Sequence, residues 1–283
     1  MPDWKLLSSP ATANLKEARI QAHYAVNVLA AAGAALIPER SDYTHTALRY
    51  HSGLHALVGE YFPDSQLCAA FIFADFSLAL LDEKQSILAR QNLYGNNLQK
   101  AFDWLAAALE KHGQTVGPLQ LPEYPDFPEH ALADNAEFDA HCQSGVDLLA
   151  AYYANTASIL QEIQSQEPGA SPVTVWPHHF DMATLIQVRP PSQAGGEDGK
   201  SVGVGFSPGD AGNERPYWYV TPWPYPDAAK LPALAAGHWN TDGWVGALLD
   251  AGDLDPSSAQ QQQQTVQAFL RGAAGAALEL IRD

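Results

Sequence analysis

The chain has 283 residues, and 46% of them are hydrophobic, so it is long enough to bury one large core or two smaller ones. Its 32 Asp and Glu residues against 15 Lys and Arg give a formal net charge of −17. Such a charge repels phosphate backbones and anionic lipid surfaces. The composition therefore predicts a soluble, acidic globular protein that binds neither nucleic acid nor membranes.

The cysteines and the start of the sequence indicate where the protein resides. Cys68 and Cys142 are the two cysteines, and no CxxC pair offers zinc or redox spacing. The start, MPDWKLLSSPATANLKEARIQ, lacks the charged and then apolar segments of a signal peptide, and no run reaches the ~18 apolar residues of a membrane span. We expect two buried thiols in a bacterial-type cytoplasmic protein.

The first half of the chain predicts a helix, an antiparallel meander and a second helix. Asn14 with Glu17 forms a capping box that opens a helix over 14–36. A second helix begins at Asn96 or Asn97 and ends at Gly113, a usual residue after a helix. Between the helices, β-type runs separated by turn residues predict three strands, at 45–51, 54–62 and 67–81, the last long enough to bend near Asp75.

Residues 114–133 carry four prolines and no periodicity, so they predict an ordered loop across the surface and an internal boundary. Asp134 and Glu137 then form a second capping box, which predicts a long helix that closes at Pro168 and Gly169.

The last part of the chain predicts three more strands and two helices. The strands are VTVWPHHFDMATLIQV (173–188), SVGVGF (201–206) and PYWYVTPWP (216–224). NTDGWVGALLD (240–250) reads as a capped helix, and Asp255 followed by Pro256 predicts the start of the final helix.

This order of elements favours an α+β fold, with antiparallel sheet or sheets flanked by long helices, because no strand alternates singly with a helix. We predict two parts, 1–133 with a helix, antiparallel strands and a helix, and 134–283 with a long helix, antiparallel strands and C-terminal helices. Two similar halves, and packing of both parts as one domain, remain open alternatives.

The run containing His178, His179 and Asp181 poses the sharpest functional question. Residues two apart share a face of a strand, so His179 and Asp181 can act together, whereas His178 points away unless Pro177 creates a bulge. A carboxylate that fixes an imidazole serves general-base catalysis or supports a metal site, for which Asp210, Glu214 and His238 are the candidates for a third ligand. The structural alternative is an edge-strand histidine that bonds only to backbone.

Aromatic residues alternate along 216–224, with Tyr217, Tyr219 and Trp223 on one face of the strand and Trp218 on the other. Such a row can form the wall of a ligand pocket or can simply pack in the core. The sequence lacks a P-loop and a G-x-S-x-G nucleophile elbow, which disfavours nucleotide hydrolysis and serine-esterase chemistry.

Four motifs, VWPHHFDMA, FSPGD, PYWYVTPW and HWNTDGWVGALL, carry a family resemblance over about residues 173–250. The chain resembles an uncharacterised bacterial family with W-P-x-H-F-D, S-P-G-D, Y-x-Y-V-x-P-W and W-N-x-x-G in this order, and more distantly another bacterial domain of unknown function. The resemblance implies a fold and a shortlist of residues but no reaction. The shortlist is Trp176, Pro177, His179, Phe180, Asp181, Ser207, Pro208, Gly209, Asp210, Tyr217, Tyr219, Trp223, Trp239 and Asn240.

Three functional hypotheses follow. The first is a small-molecule-binding protein with a pocket at the ends of the second-half strands. The second is a hydrolase-type enzyme that depends on a metal or on His and Asp. We predict no cofactor, and a divalent metal remains an open alternative. The third is a structural or interaction protein. The candidate catalytic residues are His179, Asp181 and Asp210, and the candidate ligand-binding residues are Glu214, Tyr219, Trp223, Trp239 and Asn240. The sequence does not predict an oligomeric state.

Overall fold

The computed structural model describes residues 4–7, 15–192 and 198–282, which contain four α-helices and eleven β-strands. The described residues form two compact units. The N-terminal unit comprises residues 15–150 and 174–180, and the C-terminal unit comprises 4–7, 151–173, 181–192 and 198–282.

The N-terminal unit is an antiparallel sheet with helices packed on it. Its strands follow the order β6-β1-β2-β3-β4-β5, and each neighbouring pair is antiparallel. The elements are α1 (Leu15–Leu36), β1 (Leu48–His51), β2 (Ala56–Gly59), β3 (Cys68–Ile72), β4 (Ser77–Leu81), β5 (Ile87–Asn92), α2 (Leu98–Lys111), the start of α3 (Gln143–Gln166) and β6 (Thr174–Trp176).

Helix α1 forms the centre of this unit. Every residue from Ala18 to Gly33 is buried, and the helix packs against β2, β3 and α2. A Cβ atom on Gly33 would lie 2.6 Å from the carbonyl oxygen of His45, so glycine permits the close approach of this chain segment. Polar residues of α1 that are buried must therefore find hydrogen-bond partners inside the unit.

The C-terminal unit is a second antiparallel sheet, with strand order β10-β11-β9-β8-β7. The division between the units falls inside α3, and the predicted boundary between 133 and 134 lies in the loop before that helix. The elements of the C-terminal unit are the rest of α3, β7 (Asp181–Arg189), β8 (Lys200–Ser207), β9 (Tyr217–Trp223), β10 (His238–Asn240), β11 (Gly246–Asp250) and α4 (Ala259–Ile281).

The two faces of this second sheet differ. Met182, Phe206 and Trp218 are fully buried on one face, and α4 packs on β8 and β9. Because side chains alternate along a strand, Asp181 and Tyr219 project from the opposite face. The unit therefore has one core face and one face of mixed polar and aromatic character.

A buried glutamine fixes residues 4–7 to α4. Gln262 is 1% exposed, its Oε1 accepts from the backbone N–H of Leu7 at 2.9 Å, and its Nε2 donates to the Leu7 carbonyl at 2.8 Å. Both polar atoms of Gln262 are thus satisfied by one residue of the N-terminal segment, which ties the segment to the helix.

The structure confirms the α+β class with antiparallel sheet, and several local predictions hold. Asn97 caps α2, where its side chain accepts from Lys100 N at 2.9 Å. Cys68 and Cys142 are free and buried. The predicted cap Asn14 lies outside the described residues.

The predicted single strand at 67–81 is wrong, because it is two strands. Phe73–Asp75 form a 3-10 turn, and Phe76 follows with φ 50°, so the chain reverses between β3 and β4. The turn contains one polar residue, Asp75, which predicted a bend in a strand rather than a chain reversal because apolar residues flank it on both sides. Strand β5, which is largely exposed and lacks an alternating pattern, was not predicted.

The predicted helix start at Asp134 is also wrong, because α3 begins at Gln143. Asp134 ends a 3-10 turn, and Asn135 has φ 67°, which is incompatible with continuing a helix. The next residues are held in extended form, since Glu137 forms a backbone bridge with Asn97. Asp134 and Glu137 therefore have the spacing of a capping box, but no helix begins at this position.

The segment 240–250, predicted as a helix, is instead the hairpin β10–β11. Gly243 has φ 76° in the connection, and β11 pairs with β9. Pairing with the sheet overrides the local helical signal. The final helix is capped by Ser258, whose side chain accepts from Gln261 N, rather than by Asp255.

No helix in the parts of the chain that the structure describes combines the length and the apolar character needed to cross a membrane.

Candidate functional site

The tandem histidines lie on a turn that α1 anchors. Strand β6 ends at Trp176, the amide of Phe180 donates to the Trp176 carbonyl at 2.7 Å, and Phe180 has φ 58°. The carbonyl oxygen of Pro177 lies 2.7 Å from His23 Nε2 and 3.0 Å from Asn27 Nδ2. A carbonyl only accepts, so His23 Nε2 carries the hydrogen and donates.

This turn overturns the prediction that strand geometry separates the two histidine rings. The predicted continuous strand at 173–188 is interrupted at 177–180, so the alternation of faces does not apply there. The ring centroids of His178 and His179 are 4.4 Å apart. His178 is half-buried and His179 is exposed. The two histidines are therefore neighbours in space, and one of them faces the protein.

Burial keeps two histidines neutral at neutral pH. Desolvation lowers the pKa of His23 from 6.5 to about 3, against the opposing effect of its hydrogen bond to Pro177. Burial, with a smaller repulsion from His179, lowers the pKa of His178 to about 4. Both rings thus act as neutral groups, His23 as a donor to backbone.

A cavity of about 640 Å³ opens beside this turn, between α1 and residues 121–134. Three aromatic side chains line it, Tyr24 from α1 and Tyr124 and Phe127 from the loop. Phe127 packs on His23 with ring centroids 4.6 Å apart, and Tyr124 packs on His178 at 5.9 Å. The aromatic wall of the cavity is thus continuous with the histidine turn.

The aromatic rings of the cavity are held by one another and by hydrogen bonds. Tyr24 contacts Phe127 edge to face at 4.9 Å, and its hydroxyl donates to the carbonyl of Pro128 at 2.8 Å. Burial raises the pKa of Tyr124 to about 12. Both phenols therefore remain neutral donors near pH 7, and the loop is bonded directly to α1.

His130, which also lines the cavity, uses both ring nitrogens in holding the loop. Its Nδ1 accepts from Leu132 N at 3.3 Å, so Nε2 carries the hydrogen and faces the Glu17 carboxylate at 3.1 Å. A histidine with both nitrogens engaged is poorly placed to take a proton from a ligand. His130 thus acts as a link between the loop and α1.

The remaining polar groups of the cavity are acidic. Glu123, Glu129 and Asp134 line it and are exposed. Burial raises the pKa of the Tyr24 phenol, and the negative charges of Asp134 and Glu129 raise it further. That effect indicates that both carboxylates lie close enough to act electrostatically on the cavity wall.

Two candidate residues predicted in the second half, Asp181 and Asp210, are brought to a pair of tyrosines in the C-terminal unit. The Tyr219 hydroxyl donates to Asp181 Oδ2 at 2.5 Å, and the Tyr217 hydroxyl donates to Asp210 Oδ2 at 2.6 Å. The two tyrosine rings lie 6.2 Å apart. Burial first, and then the neighbouring carboxylates, raise the pKa of both phenols. The phenols are therefore hydrogen-bond donors rather than bases.

Glycine makes room for this arrangement. Gly205 of β8 is paired with Tyr219, and a Cβ atom at Gly205 would lie 2.5 Å from the tyrosine ring. The ring therefore lies across β8 and reaches Asp181 on β7. Asp210 also accepts from the backbone N–H groups of Gly212 and Asn213, at 2.7 and 2.8 Å, so it stabilises its own turn.

The other candidate ligand-binding residues are Trp223 and Glu214 and the β10 residues Trp239 and Asn240. Trp223, 40% exposed, contacts Tyr225, and Glu214 is exposed in the loop before β9. Trp239 Nε1 donates to the carbonyl of Pro232 at 2.8 Å, and Asn240 Nδ2 donates to that of Trp244 at 2.7 Å. The last two side chains thus bond to nearby backbone.

His179, the remaining candidate catalytic residue, belongs to the turn in the N-terminal unit. Within 4–7, 15–192 and 198–282, no group of three or more His, Cys, Asp and Glu side chains is arranged to hold a metal ion.

Sequence reasoning missed the cavity residues Tyr24, Tyr124 and Phe127. Residues 114–133 show no periodicity, so they were assigned only to a surface loop. The sequence contains two signals: the aromatic residues spaced among prolines in LPEYPDFPEH, and His23 and Asn27 within the otherwise apolar part of the helix at 22–36.

Comparison with known proteins gives no family for this chain, since no protein-family model, curated protein or solved structure matches it significantly. The resemblance to an uncharacterised bacterial family stays a prediction, and function must be argued from the geometry of the site.

Proposed function

We propose that this protein binds a small organic molecule in the cavity between α1 and residues 121–134. The observation that carries the proposal is the cavity itself, about 640 Å³ in volume and walled by Tyr24, Tyr124 and Phe127. Ligand sites in proteins typically have volumes of roughly 300–1,000 Å³ and combine aromatic walls with a few polar groups. The cavity matches that description in size and in lining.

The aromatic side chains of the cavity are already fixed by packing, which supports binding. Tyr24 and Phe127 pack on each other, and Phe127 packs on the buried ring of His23. Rings that are already fixed lose little conformational freedom when a ligand arrives, which favours affinity. A preformed site of this kind requires no rearrangement of α1.

As in the sequence-based prediction, the proposed ligand is a small molecule, but the proposed pocket lies in a different part of the chain. The sequence placed it at the ends of the second-half strands, whereas the cavity lies in the N-terminal unit beside the turn that carries His178. The hydrolase and the structural or interaction alternatives stay predictions. So do a cytoplasmic location and the exclusion of nucleic-acid partners.

The test uses ligand-observed NMR with a fragment library that contains anionic, neutral and cationic compounds. Each compound is measured with the wild-type protein, with Ala133→Trp and with Ala235→Trp. Ala133 lines the cavity and is exposed, so we expect an indole at this position to obstruct the cavity. Ala235 is an exposed loop residue of the C-terminal unit and serves as the control.

We expect a set of compounds that bind the wild type and Ala235→Trp but not Ala133→Trp. The proposal is wrong if no compound loses binding specifically in Ala133→Trp while circular dichroism shows that this variant is folded. Should Ala133→Trp fail to fold, Tyr124→Ala removes an aromatic wall and serves as the second cavity variant.

A further inference from the structure

We infer that the ligand of this cavity is an organic cation, an amine or quaternary ammonium group attached to an apolar body. This inference rests on the proposed function and specifies the class of molecule that the cavity selects. It follows from the charges that line the cavity, from the charge of the surrounding chain and from the aromatic walls.

The carboxylates of the cavity are available to a ligand. Glu123, Glu129 and Asp134 line the cavity, and none of them forms an ion pair with a Lys, Arg or His in the parts of the chain that the structure describes. Glu17, by contrast, is paired with His130. A cation could therefore bind these carboxylates without breaking an existing ion pair.

The segment that supplies most of the cavity lining has no positive residue to oppose these charges, whereas α1 carries Lys16 and Arg19. From residue 112 to residue 188 the sequence contains ten Asp and Glu residues and no Lys or Arg. Arg19 of α1 is 8% exposed and does not line the cavity. Charges of one sign along a cleft raise the local concentration of ligands of the opposite sign.

The histidines beside the cavity add no positive charge that would offset the negative potential of the carboxylates. Burial lowers the pKa of His23 to about 3 and that of His178 to about 4, so both are uncharged at neutral pH. The described residues that line the cavity include no Lys or Arg, and the transfer of an anionic ligand into it would be opposed by three carboxylates. The same carboxylates favour a cation.

The aromatic walls supply the second half of cation recognition. A cation over the face of Tyr or Phe is attracted by the ring quadrupole, and the attraction grows as the site is shielded from water. Tyr124 and Phe127 line the cavity and are half-buried, so their rings can also accept the apolar body of an organic ligand, whereas Tyr24 is 1% exposed and supports Phe127. Aromatic rings together with carboxylates thus select an organic ammonium ion.

The test sorts the fragment library by charge on matched carbon skeletons. Phenethylamine, 2-phenylethanol and 3-phenylpropionate form one set, and hexylamine, hexanol and heptanoate form another. Dissociation constants are measured for each compound that loses binding in Ala133→Trp. We expect the amines to bind at least about fivefold more tightly than the matched alcohols, and the carboxylates to bind least.

Charge variants connect this preference to the cavity. Glu129→Gln combined with Asp134→Asn should weaken amine binding by about threefold to tenfold, and added salt should weaken it further in the wild type. The alcohols should change by less than about twofold, since they carry no charge. Asp126→Asn combined with Glu137→Gln is the matched control, because it alters the net charge equally at residues that do not line the cavity.

The possible outcomes separate the two claims. Cavity-dependent compounds that are mainly alcohols or carboxylates, or amines that bind both double variants equally, overturn the cation inference and leave the proposed function in place. The absence of any cavity-dependent compound overturns the proposed function and the cation inference with it.

Discussion

Acidification is expected to destabilise the protein through His23. The ring is 6% exposed, and its pKa is lowered to about 3, first by burial and then by smaller repulsions from Arg19, His179 and His178, while the bond to Pro177 opposes the shift. In the unfolded chain the same ring has a pKa of about 6.5. The folded state therefore binds a histidine proton more weakly than the unfolded state does.

The sign and size of the effect follow from this difference. A lowered folded pKa contributes stability that is complete above about pH 6.5 and is lost as the pH falls toward about 3, at about 1.4 kcal/mol per unit. Between about pH 7.5 and about pH 5, the loss attributable to His23 is about 2 kcal/mol. The ring is almost fully buried, so screening by solvent does not reduce this figure appreciably.

The assay is urea unfolding at several pH values for the wild type and for His23→Gln. The glutamine amide can donate to the Pro177 carbonyl in place of Nε2 but does not titrate. Other groups titrate in both proteins, so the difference between the two pH profiles isolates His23. Equal losses of stability in the two proteins between about pH 7.5 and about pH 5 would refute the assignment of His23 as a neutral buried ring.

Two further substitutions test packing in the C-terminal unit, each against a matched control. Gly205→Ala should lower the free energy of unfolding by about 1–3 kcal/mol, because the new Cβ would lie 2.8 Å from a backbone carbonyl and would also clash with a tyrosine ring. The control is Gly203→Ala, which should lower the free energy of unfolding by less, because the nearest atom to its Cβ is 3.8 Å away. Comparable losses in urea unfolding for the two variants would contradict the steric account. Gln262→Ala should destabilise by about 1–3 kcal/mol and increase amide exchange at Leu7, while exposed Gln261→Ala should change stability by less than about 0.5 kcal/mol. Unchanged exchange at Leu7 would show that Gln262 does not hold the segment.

The sequence predicted the elements that have strong periodic signals and clear local ends. Helix α2, with Asn97 at its cap, and strands β8 and β9 lie close to their predicted bounds. In these elements the local propensity agrees with the tertiary environment. These elements were sufficient to predict the α+β class, even though several turns were predicted wrongly.

The errors arise where local signals conflict with long-range pairing. The 240–250 segment has a capped, helix-like pattern, yet β11 pairs with β9 in the sheet. The run 173–188 is apolar enough for one strand, but Phe180 adopts φ 58° and α1 holds the Pro177 carbonyl. A buried residue on a distant helix determines that turn, so the nearby sequence alone does not specify it.

The candidate residues predicted from the sequence do not line the cavity. Of these candidates, Asp181 accepts from Tyr219 and Asp210 accepts from Tyr217, and the two tyrosine rings lie 6.2 Å apart. The cavity was missed because its walls come from Tyr24 and from a proline-rich loop about 100 residues away in sequence. Only the folded chain brings these aromatic residues together.

The most direct test of the account is a crystal structure of the protein with phenethylamine, or with the tightest cationic compound of the screen, at saturating concentration. We expect density for the ligand beside Tyr124 and Phe127, with its ammonium nitrogen within about 4 Å of a carboxylate of Glu129 or Asp134. Ligand density at another site with an empty cavity, or no bound ligand at that concentration, would contradict the account.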